Sequence, residues 1–394
     1  MFKANNYIVF GSPYIGREEV AEMVKTLKSG WIGTGPKTAA FEKQVSHYVG
    51  TKFGLALNSC TAGLHLSLLV CGVGSGDEVI TTPLTFCATV NTIIHCGAKP
   101  VFVDIDQRSM NIDAAKIEIA ITKKTKAIMP VHLAGRPCAM DAIMKIAKKH
   151  QLYVIEDAAQ ALGSEYHGKK IGQIGDLTCF SFYVTKNIIT GEGGMVTTNN
   201  KDFADKIKIY ALHGMSKDAW KRYSDDGYKH YEVIYPGFKY NMTDMQASLG
   251  LHQLKRIAKF DRIRQKIWDL YNDSFKDLPI ELPALFEKNT HHNKHLYTLL
   301  IDKKKCGISR DEFMLELHRR RIGTGVHFIP AHLHKYYRQR FGFRVGDYPN
   351  AEYIGERTVS LPMSAKLSLA DAKRVIAAVK EVISTKAKIK AGRA

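Results

Sequence analysis

Short apolar runs alternate with amphipathic segments over the first two-thirds of the chain. The apolar runs, rich in Val, Ile, Leu and Phe, cover residues 53–58, 79–82, 100–104, 127–132 and 152–156, with further strand-like runs at 178–182 and 195–198. Helical patterns lie between them at 61–71, from about 85, near 114 and at 140–150. Buried strands separated by helices are typical of a mostly parallel sheet covered on both faces. The pattern therefore predicts an α/β fold.

The pattern changes after about residue 243. A long helical segment is predicted from 243 to about 275, followed by a strand from His295 and a helix from Ser309. A last helix is predicted from Ser368, because Ser368 and Asp371 have the spacing of a helix N-cap. We therefore predict a large α/β domain over residues 1–253 and a smaller C-terminal α+β domain over residues 254–394.

Charge is the unusual feature of the composition. The chain has 394 residues, of which 57 are Lys or Arg and 38 are Asp or Glu, so its formal net charge is +19. Such an excess attracts nucleic acid, anionic membranes or anionic small substrates. Here it is spread along the chain, without interleaved aromatic residues or the spacing of a nucleic-acid-binding motif. We therefore expect solvated lysine faces and a basic C-terminal tail, and no nucleic acid.

Cysteine usage and hydropathy bear on the compartment. The seven cysteines are scattered and form no CxxC pair, so neither a disulfide framework nor a structural metal site is expected. No stretch approaches the roughly 18 apolar residues that a membrane span requires, and the first residues do not resemble a secretory signal. We expect a cytoplasmic protein with no membrane span and no bound metal.

Three segments place candidate functional groups directly after predicted strands. Lys186 follows the strand at 178–182, and Asp157 follows the strand at 152–156. The segment 58–63 joins a strand to a helix start, where free backbone amides and the helix dipole favour a phosphate. A phosphate site, a buried acid and a strand-end lysine are the groups that pyridoxal 5'-phosphate requires.

This cofactor gives each group a chemical role. A lysine forms a Schiff base with the cofactor aldehyde, and an acid keeps the pyridine nitrogen protonated so that the ring can accept electrons. Once the substrate amine displaces the lysine, its free amine can move a proton between substrate and cofactor carbons. The sequence therefore predicts pyridoxal-phosphate chemistry at Lys186 and Asp157.

These segments, in this order, resemble the DegT/StrS family of pyridoxal-phosphate-dependent nucleotide-sugar aminotransferases. The resemblance covers nearly the whole chain and includes residues 29–36, 85–86, 131–133, 237–241 and 326–332. It implies the type I, aspartate aminotransferase-like fold. Segments 211–214 and 323–328 resemble the branch that acts on UDP-4-keto-arabinose.

The resemblance implies roles around the cofactor ring. Lys186 is the Schiff-base lysine and the catalytic residue, and Asp157 pairs with the pyridine nitrogen. Gln160 lies near the 3-hydroxyl of the ring, and Phe86 stacks on its face.

The resemblance also implies a phosphate site shared between subunits. Thr61 and Ala62 contact the phosphate, Ser181 adds a hydroxyl, and Asn241 reaches it from the partner subunit of a homodimer. Cys60 departs from the family pattern, in which a smaller residue is common, so its side chain could narrow the turn.

The resulting functional hypothesis is transfer of the amino group of L-glutamate to a keto nucleotide sugar. The sugar is expected to be UDP-linked with a 4-keto group, for cell-surface polysaccharide or lipopolysaccharide biosynthesis. Two alternatives are a cofactor-binding regulator and a sugar dehydratase of the same family. Dehydratases replace the lysine with histidine, so Lys186 argues against the latter. His213, His327 and His332 are as compatible with structural roles as with substrate contact.

Overall fold

The computed structural model describes residues 6–216 and 231–391. In chain order its strands are Phe53–Leu57 (β1), Glu78–Thr81 (β2), Lys99–Phe102 (β3), Thr125–Met129 (β4), Tyr153–Asp157 (β5), Glu165–Tyr166 (β6), Lys169–Lys170 (β7), Leu177–Ser181 (β8), Gly194–Thr198 (β9), Thr290–His291 (β10), Tyr297–Leu300 (β11) and Thr358–Leu361 (β12). Seven of them form one sheet in the order β1-β9-β8-β5-β4-β2-β3.

That sheet is parallel except for one strand. β9 runs antiparallel to both of its neighbours, β1 and β8, whereas each of the other neighbouring pairs is parallel. The predicted mostly parallel sheet is therefore confirmed. Because β1, β5 and β8 point the same way, their carboxyl ends meet at one edge of the sheet, where sites of α/β proteins gather.

Helices cover the sheet and build the rest of the molecule. They are Arg17–Lys28 (α1), Pro36–Val49 (α2), Cys60–Val70 (α3), Cys87–His95 (α4), Met140–His150 (α5), Lys201–Ala211 (α6), Asp244–Lys255 (α7), Ile257–Phe275 (α8), Lys303–Cys306 (α9), Arg310–Arg319 (α10), Lys335–Phe341 (α11), Pro349–Arg357 (α12) and Leu369–Ala391 (α13). The helix predicted near residue 114 is instead two short 3-10 turns, Ala114–Lys116 and Glu118–Ala120.

The long helix predicted from 243 to about 275 is interrupted at Arg256. This residue has φ −101° and ψ 0°, and it separates α7 from α8. Its guanidinium binds Glu18 and Glu19 of α1. The apolar period continues across the break because Leu254, Ile257 and Phe260 are all buried in one core. Hydrophobic periodicity therefore did not reveal the break.

A second core is built from the C-terminal elements. The antiparallel pair β11–β12 packs with α8, α10 and α13, and Tyr271, Tyr297 and Phe313 are fully buried there. Ile8, from near the start of the chain, joins this core and pairs with Ile322. The C-terminal elements thus have the α+β composition expected, and the division at residue 253 stays a prediction.

The described residues contain neither a membrane-spanning helix nor a cluster of metal-binding side chains. Within residues 6–216 and 231–391, no helix is long and apolar enough to cross a membrane. The same residues hold no group of three or more His, Cys, Asp and Glu side chains that could bind a metal ion.

The carboxylate of Asp244 ties α7 to the start of α2. Its Oδ1 accepts hydrogen bonds from the amides of Gly35 and Thr38, each at 2.8 Å, and from the Thr38 hydroxyl at 2.7 Å. Its Oδ2 accepts from the amide of Lys37 at 3.0 Å. These are the amides that a helix N-terminus leaves without intrahelical partners. Asp244 and Thr38 are buried, whereas Gly35 and Lys37 are partly buried, so Asp244 satisfies donors that water reaches poorly.

We predict that Asp244→Ala lowers the free energy of unfolding by about 3 kcal/mol, because buried donors lose a charged acceptor. The midpoint and slope of urea unfolding measure it. Glu356→Ala is the matched control, since that carboxylate is 74% exposed and pairs only at the surface; its effect should stay within about 0.5 kcal/mol. Equal stability of both variants would contradict the assignment.

Candidate active site

A cavity of about 510 Å³ opens at the carboxyl ends of β1, β5 and β8. Six of the eight predicted site residues line it, namely Thr61, Phe86, Asp157, Gln160, Ser181 and Lys186. The other two, Ala62 and Asn241, lie outside its lining. The topology of the parallel sheet thus brings together side chains separated by more than a hundred residues of sequence.

Asp157 ends β5 and faces this cavity as a buried carboxylate. Its Oδ2 accepts a hydrogen bond from the Thr89 hydroxyl at 2.7 Å, and its Oδ1 accepts from the amide of Ala159 at 3.1 Å. Burial raises the pKa of Asp157, and these two donors oppose that rise because they favour the charged form. A carboxylate has about four acceptor positions, so lone pairs remain for a donor in the cavity.

Lys186 lies five residues beyond the end of β8. Its amide donates to the carbonyl of Tyr183 at 2.9 Å, which fixes the backbone of this turn. Its Nζ makes no hydrogen bond within the part of the chain that the structure describes. Burial lowers the pKa of Lys186, although the nearby Cys60 and Asp157 oppose the shift. A lysine with a lowered pKa is a better nucleophile near neutral pH.

The turn between β1 and α3 has the form expected of an anion site. Ser59 is the N-cap of α3, and its Oγ accepts from the amide of Ala62 at 3.1 Å. The amides of Cys60 and Thr61 donate to no described residue, so they are the free donors of this helix start. The structure thus favours Cys60 and Thr61 over Ala62 as backbone donors to a phosphate, because Ser59 already occupies the Ala62 amide.

Gly194 allows β9 to pass close to this turn. A Cβ at this position would lie 2.3 Å from the carbonyl carbon of Ser59 and 2.4 Å from the amide nitrogen of Cys60. Both contacts are with backbone, which cannot yield as a flexible side chain can. A side chain at residue 194 would therefore displace the start of α3.

Cys60, the departure from the family pattern, is accommodated. Its thiol is buried and donates to the carbonyl of Cys179 at 3.5 Å. Burial also raises the pKa of the Cys60 thiol, so the group stays protonated and behaves as a small apolar side chain. The backbone of the turn is left intact.

Gln160, Ser181 and Phe86 complete the predicted lining. The Oε1 of Gln160 accepts from the amide of Ala134 at 2.6 Å, so its Nε2 is the end that can donate into the cavity. Ser181, the last residue of β8, receives a long hydrogen bond from the Tyr183 amide and keeps its own proton for another acceptor. The Phe86 ring is 58% exposed, which suits a side chain that stacks on a ligand.

Asn241 lies beside β1 through an isolated bridge to Leu57. Its Nδ2 donates to the Thr34 hydroxyl at 2.6 Å, and its Oδ1 is buried without a partner among the described residues. Trp31 and Ile32, close in sequence to Thr34, are 58% and 49% exposed. The expected contact of Asn241 with the partner's phosphate stays a prediction.

The structure adds lining residues that sequence analysis missed or left unassigned. Phe10, His295 and Phe328 line the cavity, as does His327. The Phe86 and Phe328 rings lie 6.0 Å apart, and the Phe10 and His327 rings stack at 5.3 Å. His213 and His332 are outside the lining. His295 begins a predicted strand and Phe328 lies in a segment that carries the family resemblance, but nothing in the sequence assigned either side chain to the cavity.

Three histidines line the cavity. Burial opposes the charged form of His132, but Cys138 and Glu156 raise its pKa to about 10, whereas His295 and His327 are uncharged near neutral pH. Burial and the nearby Lys186 lower the pKa of His327 to about 4 and hold that of His295 well below its ordinary value. The Nδ1 of His295 lies 2.9 Å from the Oδ1 of Asn187. Since the Asn187 Nδ2 donates to the carbonyl of Asn293, its Oδ1 accepts, and His295 presents an unprotonated Nε2.

A model of the DegT/DnrJ/EryC1/StrS aminotransferase family matches residues 13–380. The chain belongs to that family. An uncharacterized protein of Methanocaldococcus jannaschii is 56% identical over 372 residues, which is 94% of this chain and 96% of that protein. The Bacillus subtilis spore coat polysaccharide biosynthesis protein SpsC is 49% identical over 382 residues, 97% of this chain and 98% of SpsC.

The solved structures agree. The putative sugar aminotransferase Spr1654 of Streptococcus pneumoniae in its PMP-form superposes with a TM-score of 0.90 at 36% identity, covering 98% of this chain and 99% of Spr1654. Its PLP-form gives a TM-score of 0.89. The chain is thus a pyridoxal-phosphate-dependent sugar aminotransferase of the type I fold. The family, fold and cofactor expected from the sequence are confirmed, and the UDP-4-keto-arabinose branch stays a prediction.

The residues present fit the cofactor. The turn at Cys60 and Thr61 offers free amides at a helix start, and Gly194 keeps the approach to it open. Asp157 offers a buried acceptor, and Lys186 offers an amine with no described partner. This donor set matches a phosphate, a ring N–H and an aldehyde.

We predict that Lys186→Ala loses covalent attachment of the cofactor, whereas Lys145→Ala, at an exposed position on α5, keeps it. Borohydride reduction followed by peptide mapping should place the cofactor on Lys186 of the unmodified sequence. Attachment to another lysine would contradict the assignment.

Proposed function

We propose that this aminotransferase moves the amino group of L-glutamate to a keto nucleotide sugar. The preferred acceptor is a UDP-linked sugar with a keto group at carbon 4, and the product serves cell-surface polysaccharide or lipopolysaccharide synthesis. We propose further that the enzyme works in the cytoplasm as a homodimer. The observation that carries the reaction is the presence of Lys186 and Asp157 on one cavity, with opposite pKa shifts caused by burial.

In the proposed mechanism the chain supplies binding, orientation and proton transfer. Bound pyridoxal phosphate supplies an electron sink for the substrate carbon. Asp157 would accept a hydrogen bond from the protonated ring nitrogen and so keep that nitrogen protonated. In each half-reaction the free amine of Lys186 would act first as base and then as acid, carrying one proton between the substrate carbon and the cofactor carbon.

Charge supports an anionic acceptor. The net charge of +19 attracts a diphosphate-linked sugar and speeds its encounter with the enzyme. The described lining holds no Arg, and its one Lys is Lys186. We infer that the diphosphate binds outside this lining, while the keto sugar itself enters the cavity.

The comparisons support a role in polysaccharide synthesis. SpsC, at 49% identity over almost its whole length, is named for spore coat polysaccharide biosynthesis. The UDP-4-keto-arabinose preference rests on segments 211–214 and 323–328 alone. Of the alternatives, a sugar dehydratase is disfavoured by Lys186, and a regulator would bind the cofactor without transferring an amine.

We predict that L-glutamate converts the bound cofactor to its amine form and that a keto nucleotide sugar then discharges it. Stopped-flow absorbance follows the first step. Mass spectrometry of a panel that varies base and keto position identifies the aminated product. Double-reciprocal plots of initial rate against the concentration of one substrate, at fixed concentrations of the other, should be parallel lines, because the two substrates react in turn at one site.

The controls separate the parts of this proposal. Lys186→Ala should complete neither half-reaction. A free keto sugar should lose much of its kcat/KM if the nucleotide supplies binding energy. Conversion by glutamate with no acceptor in the panel would refute the nucleotide-sugar substrate, and no conversion by glutamate would refute the donor.

We predict that mixing inactive Lys186→Ala with inactive Asn241→Ala restores part of the activity. A mixed dimer would have one site free of both lesions, provided that Asn241 serves the partner's site. Activity of the mixture, with size-exclusion chromatography to show the dimer, is the measurement. Full activity of Asn241→Ala alone, or turnover by a monomer, would contradict the shared site.

A further inference from the structure

A buried carboxylate at the cofactor ring is useful only while it stays charged and correctly aimed. Burial disfavours the charged form of Asp157 and raises its pKa. The charged or titratable side chains that affect it are Lys186 and His132, with the neutral thiol of Cys60 also near. Direct hydrogen bonds to the carboxylate therefore act together with these two side chains to favour its ionised form.

Thr89 supplies the side-chain hydrogen bond. Its hydroxyl lies 2.7 Å from Asp157 Oδ2 and 2.7 Å from the hydroxyl of Thr85. An ionised carboxylate only accepts, so the Thr89 proton points to Asp157 and the Thr85 hydroxyl donates to Thr89. All three side chains are buried, so water does not compete with this directed chain.

The geometry of Thr89 differs from that of an ordinary helical threonine. In helices a threonine hydroxyl commonly bonds a backbone carbonyl three or four residues earlier. Thr92 in the same helix does so, donating to the carbonyl of Thr89 at 3.1 Å. Thr89 instead bonds a carboxylate on β5, 68 residues away in sequence. Its hydroxyl therefore joins α4 to the acid of the active site.

We propose that Thr89, supported by Thr85, is a positioning residue that holds Asp157 ionised and aimed at the ring nitrogen of the cofactor. The proposal rests on the role proposed for Asp157. Thr89 does not line the cavity, whereas Thr85 and Asp157 do. Its effect on the reaction therefore passes through Asp157. Removing its hydroxyl removes one donor to a buried charge and leaves the cavity shape unchanged.

The test compares Thr89→Val, which replaces the hydroxyl by a methyl group of similar size, with Thr89→Ser, which keeps a hydroxyl. Thr92→Val is the matched control, because it makes the same change at a buried position of α4 without touching Asp157. Each variant is loaded with pyridoxal phosphate labelled with ¹⁵N in the ring. The ¹⁵N chemical shift reports protonation of the ring nitrogen, and stopped-flow absorbance gives the rate with L-glutamate.

We expect the ¹⁵N signal of Thr89→Val to move toward that of the unprotonated ring. Its glutamate half-reaction should slow about ten- to hundredfold, as expected for loss of a hydrogen bond to a charged group. Thr89→Ser should restore most of both readouts, and Thr92→Val should match the parent enzyme. If Thr89→Val does not fold, Thr85→Val should shift the signal in the same direction by a smaller amount.

Two results would overturn the proposal. One is a folded Thr89→Val with the parent ¹⁵N shift and rate. The other is a slowed rate with an unchanged ¹⁵N shift, which would make Thr89 a structural residue only. The variant Asp157→Asn distinguishes failure of the role proposed for Thr89 from failure of the role proposed for Asp157. If that variant also leaves the ¹⁵N shift unchanged, then Asp157 does not face the ring nitrogen, and the role proposed for it is wrong.

Discussion

The active site depends on the placement of one buried carboxylate. Asp157 is the last residue of β5, and its position follows from the parallel pairing of β5 with β8 on one side and β4 on the other. Strand pairing delivers the carboxyl group to the edge of the sheet where β1 and β8 also end. The turn between β1 and α3 follows one of these strands and Lys186 follows the other, so both reach the same cavity.

The neighbouring residue secures the strand from its other face. Side chains alternate across a strand, and Glu156 accordingly points away from the cavity side taken by Asp157. Its Oε1 accepts from the Gly175 amide and the Thr178 hydroxyl, each at 2.7 Å, and its Oε2 lies 2.8 Å from Nε2 of His132. A fully buried carboxylate with three donors is costly to displace, so Glu156 fixes the end of β5 and with it Asp157.

Sequence analysis could identify functional groups of distinctive chemistry that come soon after a predicted strand. Lys186 and Asp157 met both conditions, and the sheet order confirms the parallel arrangement that made them meaningful. His295 and Phe328 were not predicted, because their segments lie far along the chain from Lys186 and only the folded structure brings them to the cavity. The helix break at Arg256 was also not predictable from the sequence, because the apolar period continues through it. At this position Arg256 pairs with Glu18 and Glu19 of α1, which are distant in sequence.

The charges of the cavity bear on how the proposed phosphate would be held. Lys186 and Asp157 carry opposite charges when ionised, and His295 and His327 are neutral because burial and Lys186 disfavour their protonation. The third lining histidine, His132, is already paired with Glu156, whose Oε2 lies 2.8 Å from its Nε2. A phosphate bound here would therefore draw on the free amides and the dipole of α3, whose partial positive charge does not depend on pH. An added cation there would lower the pKa of Lys186 further and stabilise the charged form of Asp157. Leaving the anion to the helix start keeps the lysine and the acid under the control of their own neighbours.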